Sequence, residues 1–97
     1  DGEIKPGESL YTPQWWAVTR SMSLEQRGLA HSALLFMHLE GWQDIPDATT
    51  LARGTHIHIR TVRRLLPALE AVPAHTIAEQ LKWIARWPVA FVEELAP

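Results

Sequence analysis

With 97 residues, 46% of them hydrophobic and five of them Trp, the chain has material for one compact domain and not for two separate cores. Nine basic against eleven acidic residues leave a formal charge of -2 and a pI near 6.2, which excludes a uniformly basic surface, so any nucleic-acid contact must be local. Cysteine is absent, which excludes disulfides and thiolate metal sites.

No apolar run approaches the roughly 20 residues that span a bilayer. The start, DGEIKPGES, is polar and acidic where a secretory signal would be basic and then apolar. A soluble, cytoplasmic protein without membrane contact is expected. The lack of an initiating Met is read as a trimmed chain or a piece of a larger one.

Residues 1–9, with two Gly, one Pro and interspersed charges, have the composition of a flexible arm, leaving 10–97 as a single domain. Leu10, Tyr11, Trp15, Trp16 and Val18 follow as an aromatic cluster around Pro13, too short and irregular to assign to helix or strand. It is expected to pack over the core. Ser23 and Gln26 stand at the spacing of a capping box, which starts a helix that Gly41 can stop. Between them Leu29, Leu34, Leu35, Phe36, Met37 and Leu39 make the helix apolar on nearly every face, the mark of a central element.

After a turn from Gly41 to Pro46, Asp47 is an N-cap for a short helix through Leu51, Ala52 and Arg53, ended by Gly54. A brief connection over 55–59 leads to a third helix from about His58 to Ala71. On it Val62, Leu65, Leu66 and Leu69 share one face, and Arg60, Arg63 and Arg64 the other. Pro67 predicts a bend. AHTIAEQLKWIARW then gives a helical stripe through Ile77, Leu81 and Ile84, broken by Pro88, and VAFVEELAP reads equally as a helical turn or an edge strand. The sequence of helix, short helix, turn and helix is the order of a helix-turn-helix core.

From Ala48 to Leu69 there is no Asp or Glu, yet Arg53, Arg60, Arg63 and Arg64, four of the nine basic residues, lie there. Such segregation suits a protein that sets one positive face against phosphates and releases their counterions. Thr55, His56 and Thr61 add neutral hydrogen-bonding groups for phosphate or base edges.

Other chemistries find less support. His56 and His58 form an H-x-H pair, and His31 and His38 lie seven apart, but without Cys or an H-E-x-x-H arrangement no metal or other cofactor is expected. No Gly-rich phosphate loop, nucleophile elbow or paired catalytic carboxylates appear, so no enzyme, catalytic residue or small-molecule substrate is expected. Trp83 and Trp87, four apart, are candidates for an exposed ridge that binds a protein partner or a second copy of the chain.

YTPQWW, SLEQRGLAHSALL, IPDATTLAR and RTVRRLLPAL together make the stretch from Tyr11 to about Val72 resemble the YdaU-like family of phage and prophage proteins, a domain found at the N-terminus of replication-associated proteins. The resemblance covers about two thirds of the chain and carries no catalytic signature. It implies a winged-helix-like fold and a role near phage DNA replication or regulation. A winged helix continues into a hairpin, whereas AHTIAEQLKWIARW stands here after Val72, so the wing is expected to be missing or replaced by a C-terminal helix. The expectation is thus a small, mostly α, helix-turn-helix or winged-helix-like domain that binds duplex DNA without chemistry. Arg60, Arg63 and Arg64 would contact phosphates or guanine edges, Arg53 would anchor the backbone, and Thr55, His56 and Thr61 would set register. The alternative is a protein-interaction module, a phage adaptor or inhibitor or one domain of a larger assembly, using the Trp83 and Trp87 surface.

Overall fold

The computed structural model describes residues 9–95, and among them there are six helices and no strand. They are α1 (Pro13–Thr19), α2 (Leu24–Glu40), α3 (Ala48–Thr55), α4 (Ile59–Glu70), α5 (Ala74–Ile84) and α6 (Val89–Leu95). The arm read at 1–9 lies outside the described residues except for Ser9, as do Ala96 and Pro97.

Helix α2 is the hub: α3, α4, α5 and α6 all pack on it. Its start is fixed by the expected capping box, in which the Gln26 amide N–H donates to Ser23 Oγ at 3.1 Å and the Ser23 N–H donates to Gln26 Oε1 at 2.9 Å. Its end is a left-handed turn at Gly41 (φ 77°), beyond which the Trp42 N–H donates to the Met37 carbonyl at 2.9 Å. Leu29, Ala30, Ala33, Leu34, Leu35 and Met37 are all buried, which accounts for its apolar character on several faces.

The aromatic entry is helical, a structure its seven residues were too few to announce by periodicity. Pro13 stands where a helix tolerates proline, and the Trp15 N–H donates to Thr12 Oγ1 at 3.1 Å, capping α1. Trp15 is buried, and its indole N–H donates to His31 Nδ1 on α2 at 3.0 Å. Tyr11 stacks on the same imidazole with ring centroids 4.4 Å apart. Gln80 of α5 holds the approach to α1: the Thr12 N–H donates to Gln80 Oε1 at 2.7 Å and Gln80 Nε2 donates to the Leu10 carbonyl at 2.9 Å. This buried amide therefore satisfies two backbone groups some 70 residues away in sequence, at Leu10 and Thr12.

Helix α3 starts as expected, with the Thr50 N–H donating to Asp47 Oδ1 at 2.8 Å, but Gly54 does not end it. The helix continues to Thr55, and the positive φ falls on His56 (60°). Gly54 serves another purpose: a Cβ there would overlap the Phe36 ring of α2. The missing side chain lets α3 lie close on α2. Helix α4 runs through Pro67 to Glu70 with Val62, Leu65 and Leu69 buried. Because proline has no N–H, the Arg63 carbonyl lacks its helical partner. The segment after Val72 is helix α5 where a winged helix would have its hairpin, and α6 makes 89–95 helical, so the edge-strand option is set aside.

Two glycines should respond oppositely to alanine. Gly54→Ala should destabilise by about 1–3 kcal/mol through overpacking, partly recovered when Phe36→Leu is added. Gly28→Ala, where an added Cβ meets nothing within 4 Å, should stabilise by about 0.5–1 kcal/mol. Urea unfolding of the variants reads both signs.

His31 makes the fold pH-dependent. Burial, with the nearby Arg27 charge adding to it, lowers its pKa below the usual histidine range. The unfolded chain, titrating near about 6.5, therefore takes up a proton first as pH falls. Stability is complete above that value and declines as pH drops from it toward the folded pKa. The urea midpoint should be lower at pH 5.5 than at pH 7.5, and His31→Asn should flatten the dependence, leaving a smaller slope from His38, whose pKa burial also lowers.

Candidate nucleic-acid interface

Helices α3 and α4 are joined by only three residues, His56, Ile57 and His58. His56 takes the left-handed conformation that lets the chain reverse immediately after α3. His58 caps α4, its Nδ1 accepting the Arg60 N–H at 3.1 Å. The azimuth of α4 follows from its leucines: with Val62, Leu65 and Leu69 on the core, Arg60, Arg63 and Arg64 must fall on the outer side, within an arc of about 100°. All three are exposed. Arg60 and Arg63 form no ion pair among the described residues.

Arg64 differs. Its Nη2 donates to Glu25 Oε2 at 2.9 Å and its Nη1 donates to Glu25 Oε1 at 3.4 Å, a two-pronged pair between α4 and the first turn of α2. Hydrogen bonding and the Arg64 charge hold the Glu25 carboxyl below the usual carboxylate range, so it is ionised at neutral pH. Nothing local in the sequence foretells the pair, since its members are 39 positions apart.

The remaining candidates separate. His56 is exposed at the turn, and Thr61 is only partly accessible. Arg53 is exposed but lines a cleft with Phe36, Glu40, Trp42, Thr50 and Gly54, on the seam of α2 and α3. Thr55 is withdrawn from the set: it is buried, and its hydroxyl donates to the Leu51 carbonyl at 2.7 Å, so it is satisfied within its own helix.

The ridge expected at Trp83 and Trp87 is also corrected. Both rings are half-buried, their centroids 5.9 Å apart, and the Arg86 guanidinium lies 4.4 Å from the centroid of Trp83 and 5.8 Å from that of Trp87. The Trp83 indole N–H donates to the Ser9 carbonyl at 2.8 Å, tying down the last residue of the expected arm. The exposed large apolar side chains are instead Trp16, Leu24 (82%), Trp42, Val89 (59%) and Phe91. A single-sequence pattern gives these residues no common stripe, because they are spread over α1, α2, the turn after α2 and α6.

No family model, curated protein or solved structure matches the chain. Among the described residues no three His, Asp or Glu stand together as a metal site, and no helix is long and apolar enough to cross a membrane. Two of the histidines are already engaged at Nδ1, His31 by Trp15 and His58 by Arg60. What this surface offers chemically is the guanidinium N–H donors of Arg60 and Arg63, with the Arg64 guanidinium shared with Glu25.

His56 carries a testable strain. A left-handed residue with a Cβ costs about 1–2 kcal/mol, offset in part by glycine's greater loss of freedom on folding, so His56→Gly should leave stability unchanged or raise it by up to about 1 kcal/mol. A lowered urea midpoint would instead mean that the imidazole makes a stabilising contact.

Proposed function

We propose that α3 and α4 act as a helix-turn-helix that sets α4 into the major groove of duplex DNA, in a non-enzymatic protein of phage or prophage replication or regulation. The observation that carries this reading is the outward face of α4, where Arg60 and Arg63 are exposed without a carboxylate partner among the described residues. Three further features support it. An eight-residue helix, a three-residue turn that reverses at the left-handed His56 and a following helix have the lengths such a unit needs. The basic residues Arg60, Arg63 and Arg64 lie in the first half of α4, the part that meets base edges when a second helix enters the groove. No acidic residue interrupts the stretch from Ala48 to Leu69. The phage and replication setting rests on the YdaU-like resemblance of 11–72 alone. Arg53 and His56 would supply flanking backbone contacts, and Thr61 a neutral one near the turn.

A second reading, association with a protein or with another copy of the chain, is favoured by a different observation. Leu24, Val89 and Phe91 are apolar and exposed, and burying them would be favourable.

Fluorescence anisotropy on a mixed-sequence duplex separates the readings. Binding should weaken with salt, and Arg60→Glu with Arg63→Glu should abolish it at moderate salt. Neutralising the pair to Gln should reduce the slope of log affinity against log salt by about 1.8, two phosphate contacts. An absence of binding at low salt, joined to a molecular mass that rises with concentration and returns to that of a monomer in Val89→Glu, would decide for association instead.

A further inference from the structure

Helix α4 presents three arginines but only two uncommitted charges, because Glu25 occupies the end of the Arg64 guanidinium. The contact is not needed to begin α2, whose first N–H groups are already served by the Ser23 and Gln26 capping box. Nor is it a strong brace, since both side chains are largely exposed, at 57% for Arg64 and 63% for Glu25, and ion pairs in water hold structure weakly. Its consequence is electrostatic: it places a carboxylate on the edge of the basic face.

A carboxylate and a phosphate present the same thing to a guanidinium, two oxygens spaced for its two N–H prongs. Glu25 and a DNA phosphate, or a guanine edge, therefore compete for the same nitrogens of Arg64. We propose that Glu25 is a displaceable counter-ion that withholds Arg64 from the nucleic-acid surface, so that Arg60 and Arg63 bind first and Arg64 joins only by exchanging its carboxylate for a phosphate. This rests on the reading of α4 as a DNA-contacting helix. The carboxylate, once released, remains beside the incoming backbone and repels it, so Glu25 lowers affinity in two ways. The exchange moves no covalent bond and needs no proton transfer at neutral pH.

The test is a double-mutant cycle read by anisotropy on a mixed-sequence duplex at several salt concentrations. Glu25→Gln keeps the size of the side chain, and should tighten binding by about three- to tenfold and steepen the salt slope by about 0.9, one added phosphate contact. Arg64→Gln alone should cost less affinity than Arg60→Gln. In an Arg64→Gln background the gain from Glu25→Gln should shrink to the part that carboxylate repulsion alone supplies. Equal or weaker binding by Glu25→Gln overturns the proposal, and so does a gain as large without Arg64 as with it, since that would reflect net charge alone. Urea midpoints are measured in parallel, with Glu25→Ala taking the place of any variant that fails to fold. If the unaltered protein binds and loses binding on reversal of Arg60 and Arg63, yet Glu25→Gln changes nothing, only the counter-ion role falls. If neither the unaltered protein nor Glu25→Gln binds at low salt, the DNA reading falls and takes this proposal with it.

Discussion

The close seating of α3 on α2 is the constraint on which the exposed basic face depends. Phe36 of α2 fills the space where a side chain on residue 54 would begin, and glycine alone leaves that space open. Helix α3 can therefore lie flat enough on the hub for Leu51 and Thr55 to be buried, and the chain must then reverse at His56 to bring α4 back to the same hub. Once Val62, Leu65 and Leu69 are committed to the core, the orientation of the arginines is no longer free. A glycine that contributes no side chain thus helps decide which way the charges point.

The core around this seam is spread along α2 instead of being concentrated at one end. Ala30 and Ala33, both fully buried, let neighbouring helices approach, while Leu29, Leu34 and Met37 supply bulk. On the far side, α5 does for the N-terminal segment what α2 does for the basic helix. Gln80 meets backbone groups of Leu10 and Thr12, and Trp83 meets the Ser9 carbonyl. The aromatic cluster is thereby anchored by polar groups at its edges as well as by burial of Trp15.

The charge distribution has a matching logic. The chain as a whole is mildly acidic, so any attraction to a polyanion would have to come from one region. That region is short, carries no acidic residue of its own sequence, and acquires one only from Glu25, which arrives from another helix. Three-dimensional packing thus tempers a positive cluster that the linear sequence leaves unopposed. The exposed apolar residues Leu24 and Val89 are a separate feature of the surface, on α2 and α6.

Much of the fold was legible in the sequence because it is written in local rules. The capping box at Ser23, the Asp47 cap, the left-handed stop at Gly41 and the two faces of α4 depend on neighbours within a turn or two, and each stands where those rules put it. Helix α1 and α6 were not legible, since seven residues hold too few turns for a period to show. Gly54 looked like a stop because glycine usually is one, and only the Phe36 ring across the seam explains why it sits inside a helix. The candidate site divides the same way. Which side of α4 bears Arg60, Arg63 and Arg64 was determined by helical spacing alone. That Thr55 is sealed, that Trp83 and Trp87 lie under Arg86, and that Arg64 is shared with Glu25 were decided by contacts between residues distant in sequence or on separate helical turns, which exist only after the helices have packed.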